Sequence, residues 1–192
     1  MRDIKMKKLL SMIFVVAMAL VIVSCGSGGS SDDTVSTAKG DSLFGNFTAQ
    51  TISGDKVDQT VFSGKKLTMI NVWATFCSPC INEMPELGEI SKEYADKGFQ
   101  LIGIPADVTD NNGGLDKDMV AKAKKIVKQT KASYMHILPS TDLINAKLSD
   151  VSSVPETFFV DEEGNQIGQS YVGARSKSDW KKIIDELLKS VE

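Results

Sequence analysis

The stretch that decides the fold reads Trp73-Ala74-Thr75-Phe76-Cys77-Ser78-Pro79-Cys80, with two cysteines separated by two residues. Residues 67–73 form an apolar run rich in β-formers, which predicts a buried strand ending at this stretch. The residues after Cys80 have the apolar spacing of an amphipathic helix. Cys77 is thus expected at a strand-to-helix junction, where free N–H groups and the positive end of the helix dipole stabilise a thiolate. Such a pair can close to a disulfide and open to a dithiol, which indicates redox chemistry.

Composition and charge exclude one class of partner. The chain has 192 residues and a net charge of −3, so it carries no basic excess for nucleic acid. We expect one folded domain in a monomeric protein. Besides Cys77 and Cys80 the chain has one more cysteine, Cys25, far upstream. No cysteine therefore remains for a structural disulfide framework.

The first residues have the pattern of an export signal. Residues 1–24 combine a basic start with an apolar run, as in a lipoprotein signal peptide. Ile22-Val23-Ser24-Cys25 resembles a bacterial lipobox, which implies cleavage before Cys25 and lipid attachment to it. The alternative is an uncleaved signal anchor with an incidental cysteine. Either arrangement places the domain on the extracytoplasmic face of the bacterial cell membrane, where no glutathione or thioredoxin pool keeps a dithiol reduced.

The rest of the chain divides into a tether and a domain. Residues 25–41 are rich in Gly, Ser, Asp and Thr, which predicts a flexible, lipid-anchored tether before a domain over residues 42–192. Residues 43–57 read as a β-hairpin, and the last helix is expected to be capped by Ser176 or Ser178. Between these elements we expect strands at 66–73, 99–104, 135–138, 156–160 and 166–172, and helices after Cys80, at 115–131 and near 143–148. Helices separated by strands predict an α/β sheet with helices on both faces.

Three motifs in this order resemble the thioredoxin fold, and in particular the membrane-anchored thioredoxin-like reductases of the TlpA/ResA type. Residues 73–80 match W-A-x-W-C-x-x-C with Phe76 in place of the second tryptophan, and Glu83-Met84-Pro85 matches E-x-P. Residues 154–161 match V-P-x-T-F-x-x-D, although Ser153 replaces the glycine that often precedes it. The resemblance runs from about Leu43 to the C-terminus. It implies a central mixed β-sheet flanked by helices, with an N-terminal β-hairpin extension.

The resemblance assigns roles to the two cysteines and to the second motif. Cys77, exposed at the helix start, would attack a partner disulfide, and the more buried Cys80 would resolve the mixed disulfide. No cofactor beyond this disulfide is implied. Pro155 would be cis and lie beside the sulfurs. Val154 would present its carbonyl to a partner strand.

A carboxyl group and several flanking side chains complete the expected site. Glu83 would take the Cys80 proton; the alternative is an exposed first-turn acid that the helix dipole favours. Asn71 stands where thioredoxins themselves carry a buried aspartate, which suggests that Glu83 has taken over proton handling. The residues expected to contact substrate, besides Val154, are Trp73, Phe76, Ser78 and Pro79.

The resemblance implies a thiol–disulfide oxidoreductase that reduces extracytoplasmic protein disulfides, such as those of apocytochrome c or a methionine sulfoxide reductase. Its electrons would come from a membrane thiol transporter of the CcdA/DsbD kind. No histidine lies between the cysteines to stabilise the Cys77 thiolate as in strong oxidants, which favours a reductant.

Two other functions remain open. One is a copper-handling module for oxidase assembly, with His136, the only histidine, as a distant ligand. Copper chaperones of the thioredoxin fold space their cysteines by three residues rather than by two. The other is a binding module whose cysteines do not cycle. Zinc would need two ligands beyond the pair, so no metal site is expected.

Overall fold

The computed structural model describes residues 42–110 and 112–191. The predicted signal peptide, Cys25 and the tether lie outside these residues. The strands are β1 (Thr48–Thr51), β2 (Lys56–Asp58), β3 (Leu67–Trp73), β4 (Phe99–Pro105), β5 (Met135–Leu138), β6 (Glu156–Val160) and β7 (Gln166–Val172). The helices are α1 (Ser78–Glu93), α2 (Lys117–Gln129), α3 (Thr141–Ala146) and α4 (Lys177–Ser190). None of the helices in the described part of the chain is long and apolar enough to cross a membrane.

The strands form one mixed sheet in the order β2-β1-β5-β4-β3-β6-β7. β3 lies near its middle, parallel to β4 and antiparallel to β6, with Ile70 opposite both Ile102 and Phe158. β4 and β5 are also parallel, whereas β6 and β7 form the predicted C-terminal hairpin. The N-terminal hairpin joins the same sheet because β1 pairs antiparallel with β5. The α/β class and the hairpin extension are therefore confirmed.

The two faces of the sheet bury separate apolar cores because successive strand residues point to opposite sides. In β3, Met69 and Trp73 belong to the core that α1, α2 and α4 cover. Ile70 and Val72 belong to the opposite core, which α3 and the phenylalanines around β1 and β2 cover. Helices thus lie on both faces, as the alternation of strands and helices predicted.

Two helix boundaries are set by capping side chains. α2 begins at Lys117 rather than at 115, because the Asp116 carboxylate accepts from the next helical N–H groups, those of Asp118 and Met119. Ser176, rather than Ser178, caps α4 by accepting from the Asp179 N–H. Both caps place polar side chains where the backbone leaves donors unpaired.

Candidate active site

The two cysteines lie at the N-terminus of α1, immediately after β3. Cys77 is the N-cap residue, and its sulfur accepts from the Cys80 N–H at 3.2 Å. The two are joined as a disulfide with a Cα–Cα distance of 5.3 Å. A sulfur in this position receives both a backbone N–H and the positive end of the helix dipole, which stabilise a thiolate once the disulfide opens.

The surface around the disulfide differs from the sequence expectation in two respects. Cys77 is 6% exposed, against 1% for Cys80, so it is the more accessible of the two residues but is itself buried. Trp73 is completely buried, so it cannot contact a partner at this surface directly. Its place at the inward-facing end of β3 is the physical reason. By contrast Phe76 is 71% exposed, and Ser78 and Pro79 are also exposed.

The Val154–Pro155 loop lies against the disulfide. The peptide bond between these residues is cis, as the resemblance implied. The Val154 carbonyl oxygen lies 3.6 Å from the Cys77 sulfur. Val154 is half-buried and Pro155 is buried, and the Pro155 carbonyl accepts from the Gly173 N–H at 2.8 Å. The loop is thus tied to the end of β7 while its backbone borders the sulfur.

Glu83 is an interior carboxyl and not an exposed first-turn acid, so that alternative is wrong. The residue is 4% exposed. Its Oε1 accepts from the Trp180 Nε1–H at 2.5 Å and from the Arg175 backbone N–H at 2.8 Å. Its Oε2 is buried and has no hydrogen-bond partner among the described residues. Burial raises the pKa of Glu83, although the two N–H donors oppose that shift.

Asn71 lies deeper in the same interior. It is buried in β3, and its side-chain amide donates to Thr157 of β6 at 3.0 Å. A side-chain amide at this position does not ionise, so it cannot take up or release a proton during the reaction. Glu83 is therefore the ionisable side chain that the site offers on the resolving side of the dithiol.

His136 is buried in the core. Its Nε2–H donates to the Ala132 carbonyl at 3.2 Å, and its ring stacks on Tyr134 with centroids 4.5 Å apart. Burial lowers the pKa of His136 to about 4, so the ring is neutral at physiological pH. Within residues 42–110 and 112–191 no three His, Cys, Asp or Glu side chains cluster as metal ligands would. No observation favours the copper-handling alternative.

Asp107 is a residue of the site that sequence reasoning missed. Its carboxylate accepts from the Thr75 N–H at 3.0 Å and from the Thr75 hydroxyl at 2.6 Å. These bonds fix the segment that leads from β3 to Cys77. A sequence signal existed, because Asp107 follows the buried strand β4, and the carboxyl ends of β3 and β4 meet at the same edge of the sheet.

Trp180 and Arg175 were also missed as contributors to the site. Trp180 reads in the sequence as one of the apolar residues of the last helix, and it is indeed completely buried. Nothing in the sequence indicates that its N–H meets Glu83, which lies 97 positions earlier.

The chain is similar to several known proteins. The Redoxin family model matches residues 38–187. The chain is 30% identical over 146 residues to thiol-disulfide oxidoreductase ResA of Bacillus thuringiensis subsp. konkukian. The aligned segment covers 76% of this chain and 75% of that protein. It is 33% identical over 142 residues to thioredoxin-like protein YneN of Bacillus subtilis. That alignment covers 72% of this chain and 75% of YneN. The crystal structure of a thiol:disulfide interchange protein of the thioredoxin family from Chlorobium tepidum TLS matches with a TM-score of 0.61 at 27% identity, over 74% of this chain and 93% of that one. This last match confirms the thioredoxin-like fold.

Proposed function

Because the chain belongs to the Redoxin family and is a thiol–disulfide oxidoreductase with a CxxC active site, we propose that it reduces disulfides of partner proteins outside the cytoplasmic membrane. The observation that carries the proposal is the position of Cys77. Its sulfur caps α1 and borders the Val154 carbonyl, so it combines a stabilised thiolate with an adjacent backbone acceptor.

The first step is attack by the Cys77 thiolate on a partner disulfide. A bond forms between the Cys77 sulfur and one partner sulfur, and the other partner sulfur leaves as a thiolate. The Cys80 N–H and the helix dipole stabilise the Cys77 thiolate before the attack. Cys77 is the more accessible of the two cysteines, so it is the attacking residue.

The second step resolves the mixed disulfide. The Cys80 thiol gives its proton to the Glu83 carboxylate, and the Cys80 sulfur attacks that of Cys77. The Cys77–Cys80 bond forms, and the bond from Cys77 to the partner breaks. The partner sulfur leaves as a thiolate and is then protonated. In total the partner disulfide gains two electrons and two protons, and the dithiol becomes the disulfide.

The partner docks on the surface that surrounds Cys77. An extended segment pairs with the backbone of Val154, next to Pro155, in the manner of an added strand. Phe76, Ser78 and Pro79 are exposed and supply the flanking contacts, whereas Trp73 is buried in the core that also contains the two cysteines. The large exposed ring of Phe76 favours an apolar residue next to the partner cysteine.

The cellular setting follows from the N-terminal sequence. Signal cleavage and lipid attachment at Cys25 hold the domain at the extracytoplasmic face, with residues 25–41 as the tether. The oxidised dithiol is returned to its reduced form by a membrane thiol donor of the CcdA/DsbD type. Protein disulfides are the substrate class, and apocytochrome c and methionine sulfoxide reductase are candidates.

Reduction of insulin disulfides tests the proposal. The purified protein, with dithiothreitol as electron donor, is expected to reduce insulin well above the rate of dithiothreitol alone. Cys77→Ser abolishes this reduction, whereas Cys80→Ser attacks once and accumulates the mixed disulfide, because the resolving sulfur is missing. An unchanged rate in Cys77→Ser would overturn the assignment of the nucleophile.

A further inference from the structure

Trp180 holds the Glu83 carboxylate by a contact that the two cysteine steps do not use. The Trp180 Nε1–H donates to Glu83 Oε1 at 2.5 Å, and the Arg175 backbone N–H donates to the same oxygen at 2.8 Å. A carboxylate oxygen accepts about two such bonds, so Oε1 is fully engaged. Both partners are N–H donors, and neither can accept a proton placed on that oxygen.

The second oxygen of Glu83 is in the opposite situation. Oε2 is buried and has no partner among the described residues. Cys80 lies one helical turn earlier on α1, and side chains three positions apart share a helix face. Helical side chains also lean toward the N-terminus, which is the side of Cys80. Oε2 is therefore the oxygen that remains open to a proton from Cys80.

We propose that Trp180 is a positioning residue, whose indole N–H engages Glu83 Oε1 so that Oε2 receives the Cys80 proton during resolution. The inference rests on the proposed role of Glu83 and adds the residue that directs it. The proton passes from the Cys80 sulfur to Oε2 as the Cys80 sulfur displaces the partner sulfur from Cys77. The departing partner thiolate is then protonated, and Glu83 returns to the carboxylate.

Other charged and titratable groups face Glu83 and set the background. The Arg175 guanidinium lies over the Trp180 ring and donates to the Val172 and Gly173 carbonyls, so it acts on Glu83 only through space. Arg175 lowers the pKa of Glu83 and Glu86 raises it. Tyr134 lies in the same buried core as Cys77 and Cys80, and its pKa is raised chiefly by burial and further by the Glu83 charge. None of these groups replaces the N–H that Trp180 supplies.

The indole signals of the oxidised full chain give a direct test by NMR. The chain contains two tryptophans, and the Trp73 Nε1–H has no partner among the described residues, so it is an internal control. The Trp180 N–H signal is expected to shift with pH as Glu83 titrates, and to lose this titration in Glu83→Gln. If the Trp180 signal does not follow Glu83, or Trp73 follows it equally, the inference is overturned.

Substitution of Trp180 measures the consequence. Trp180→Phe removes the N–H, so the pKa of Glu83, read from its side-chain carboxyl carbon signal, rises by about one to two pH units. The acid limb of the rate of mixed-disulfide resolution moves to higher pH by the same amount, because Glu83 keeps its proton longer. Phe159 packs edge-on against Trp180 with centroids 6.3 Å apart and has no polar atom, so Phe159→Leu is the matched packing control and leaves this limb in place.

The outcomes separate the inference from the proposed function. An acid limb that moves equally in Trp180→Phe and Phe159→Leu, or in neither, overturns the role of Trp180. An acid limb that persists in Glu83→Gln overturns proton transfer through Glu83, and the inference with it, while reduction by Cys77 stands. Should Trp180→Phe fail to fold, replacement of Trp180 by benzothienylalanine keeps the ring shape, removes the N–H and predicts the same shift.

Discussion

Two carboxylates of α1 are held by α4 and its preceding connection, one in the interior and one on the surface. Near the dithiol, Glu83 accepts from uncharged N–H donors, and burial raises its pKa. At the other end of α1, Glu93 contacts the ammonium groups of Lys177 and Lys181, which lower its pKa to about 2. The pKa values of two glutamates on the same helix are thus shifted in opposite directions.

The surroundings of each glutamate decide whether its pKa is raised or lowered. A buried carboxylate loses its hydration, and neutral donors replace that hydration only in part. The protonated form is therefore stabilised relative to the carboxylate. Beside a lysine in water the carboxylate keeps its hydration and also gains an attractive charge. The dithiol end therefore holds a carboxyl ready to exchange a proton. The far end holds a permanent charge that only joins the two helices.

The largest difference is expected in activity. Glu83→Gln removes the proton acceptor, so we expect the rate of mixed-disulfide resolution to fall by about 100-fold or more. Glu93→Gln keeps the same size and removes a charge of the same helix, and it is expected to retain the wild-type rate. Stopped-flow measurement of resolution with both variants checks the comparison. Equal losses in the two variants would show that Glu83 acts through general charge and not through proton transfer.

Stability gives the next effect. Trp180→Ala removes a completely buried ring from the core and the donor to Glu83, and it is expected to destabilise the fold by about 3–5 kcal/mol. Lys181→Ala removes an exposed partner of Glu93, and exposed ion pairs contribute little. Urea unfolding of both variants in the oxidised state tests the contrast. A loss in Lys181→Ala comparable to that in Trp180→Ala would contradict the interior account.

The smallest effect is the pH dependence of stability, with opposite signs for the two residues. Folding raises the Glu83 pKa above its ordinary 4.5, so stability is lost as pH rises from that value through the folded pKa. Folding lowers the Glu93 pKa to about 2, so its contribution is present above 4.5 and lost as pH falls from 4.5 to about 2. Unfolding midpoints across pH for Glu83→Gln and Glu93→Gln isolate each slope.

Salt is the control for that measurement. Added salt weakens the Glu93 contribution because exposed charges are screened within about 10 Å at 0.1 M. The Glu83 slope persists because its cause is burial. Matching salt sensitivity for both slopes would contradict the distinction.

The sequence predicted those parts of the fold that depend on local pattern. The apolar run before Cys77 became β3, and the bounds expected for β5, β6 and β7 agree with the structure. The pairing of β1 with β5 was not predicted, because it joins Gln50 to Leu138 across the chain and leaves no local pattern. The start of α2 was misplaced because an apolar residue, Leu115, precedes the Asp116 cap.

The residues of the site also divide into those that short motifs predicted and those that they did not. The cysteines and the Val154–Pro155 pair stand in short motifs, so the family resemblance of those motifs implied that they lie together. The partners of Glu83 did not appear, because a tryptophan in an amphipathic helix has the same pattern whether or not its N–H is used. The burial of Cys77 and Trp73 also depends on how the Val154–Pro155 loop and the sheet close around them. Only the folded chain specifies those contacts.

The reduction potential of Cys77 and Cys80 tests the proposed reductase most directly. The purified protein is equilibrated with glutathione or dithiothreitol buffers, and the dithiol fraction is counted by alkylation and mass spectrometry. A potential near that of thioredoxin, about −270 mV, is predicted for a reductant of protein disulfides. A potential near that of a strong disulfide donor, about −120 mV, would contradict the account and make the protein an oxidant.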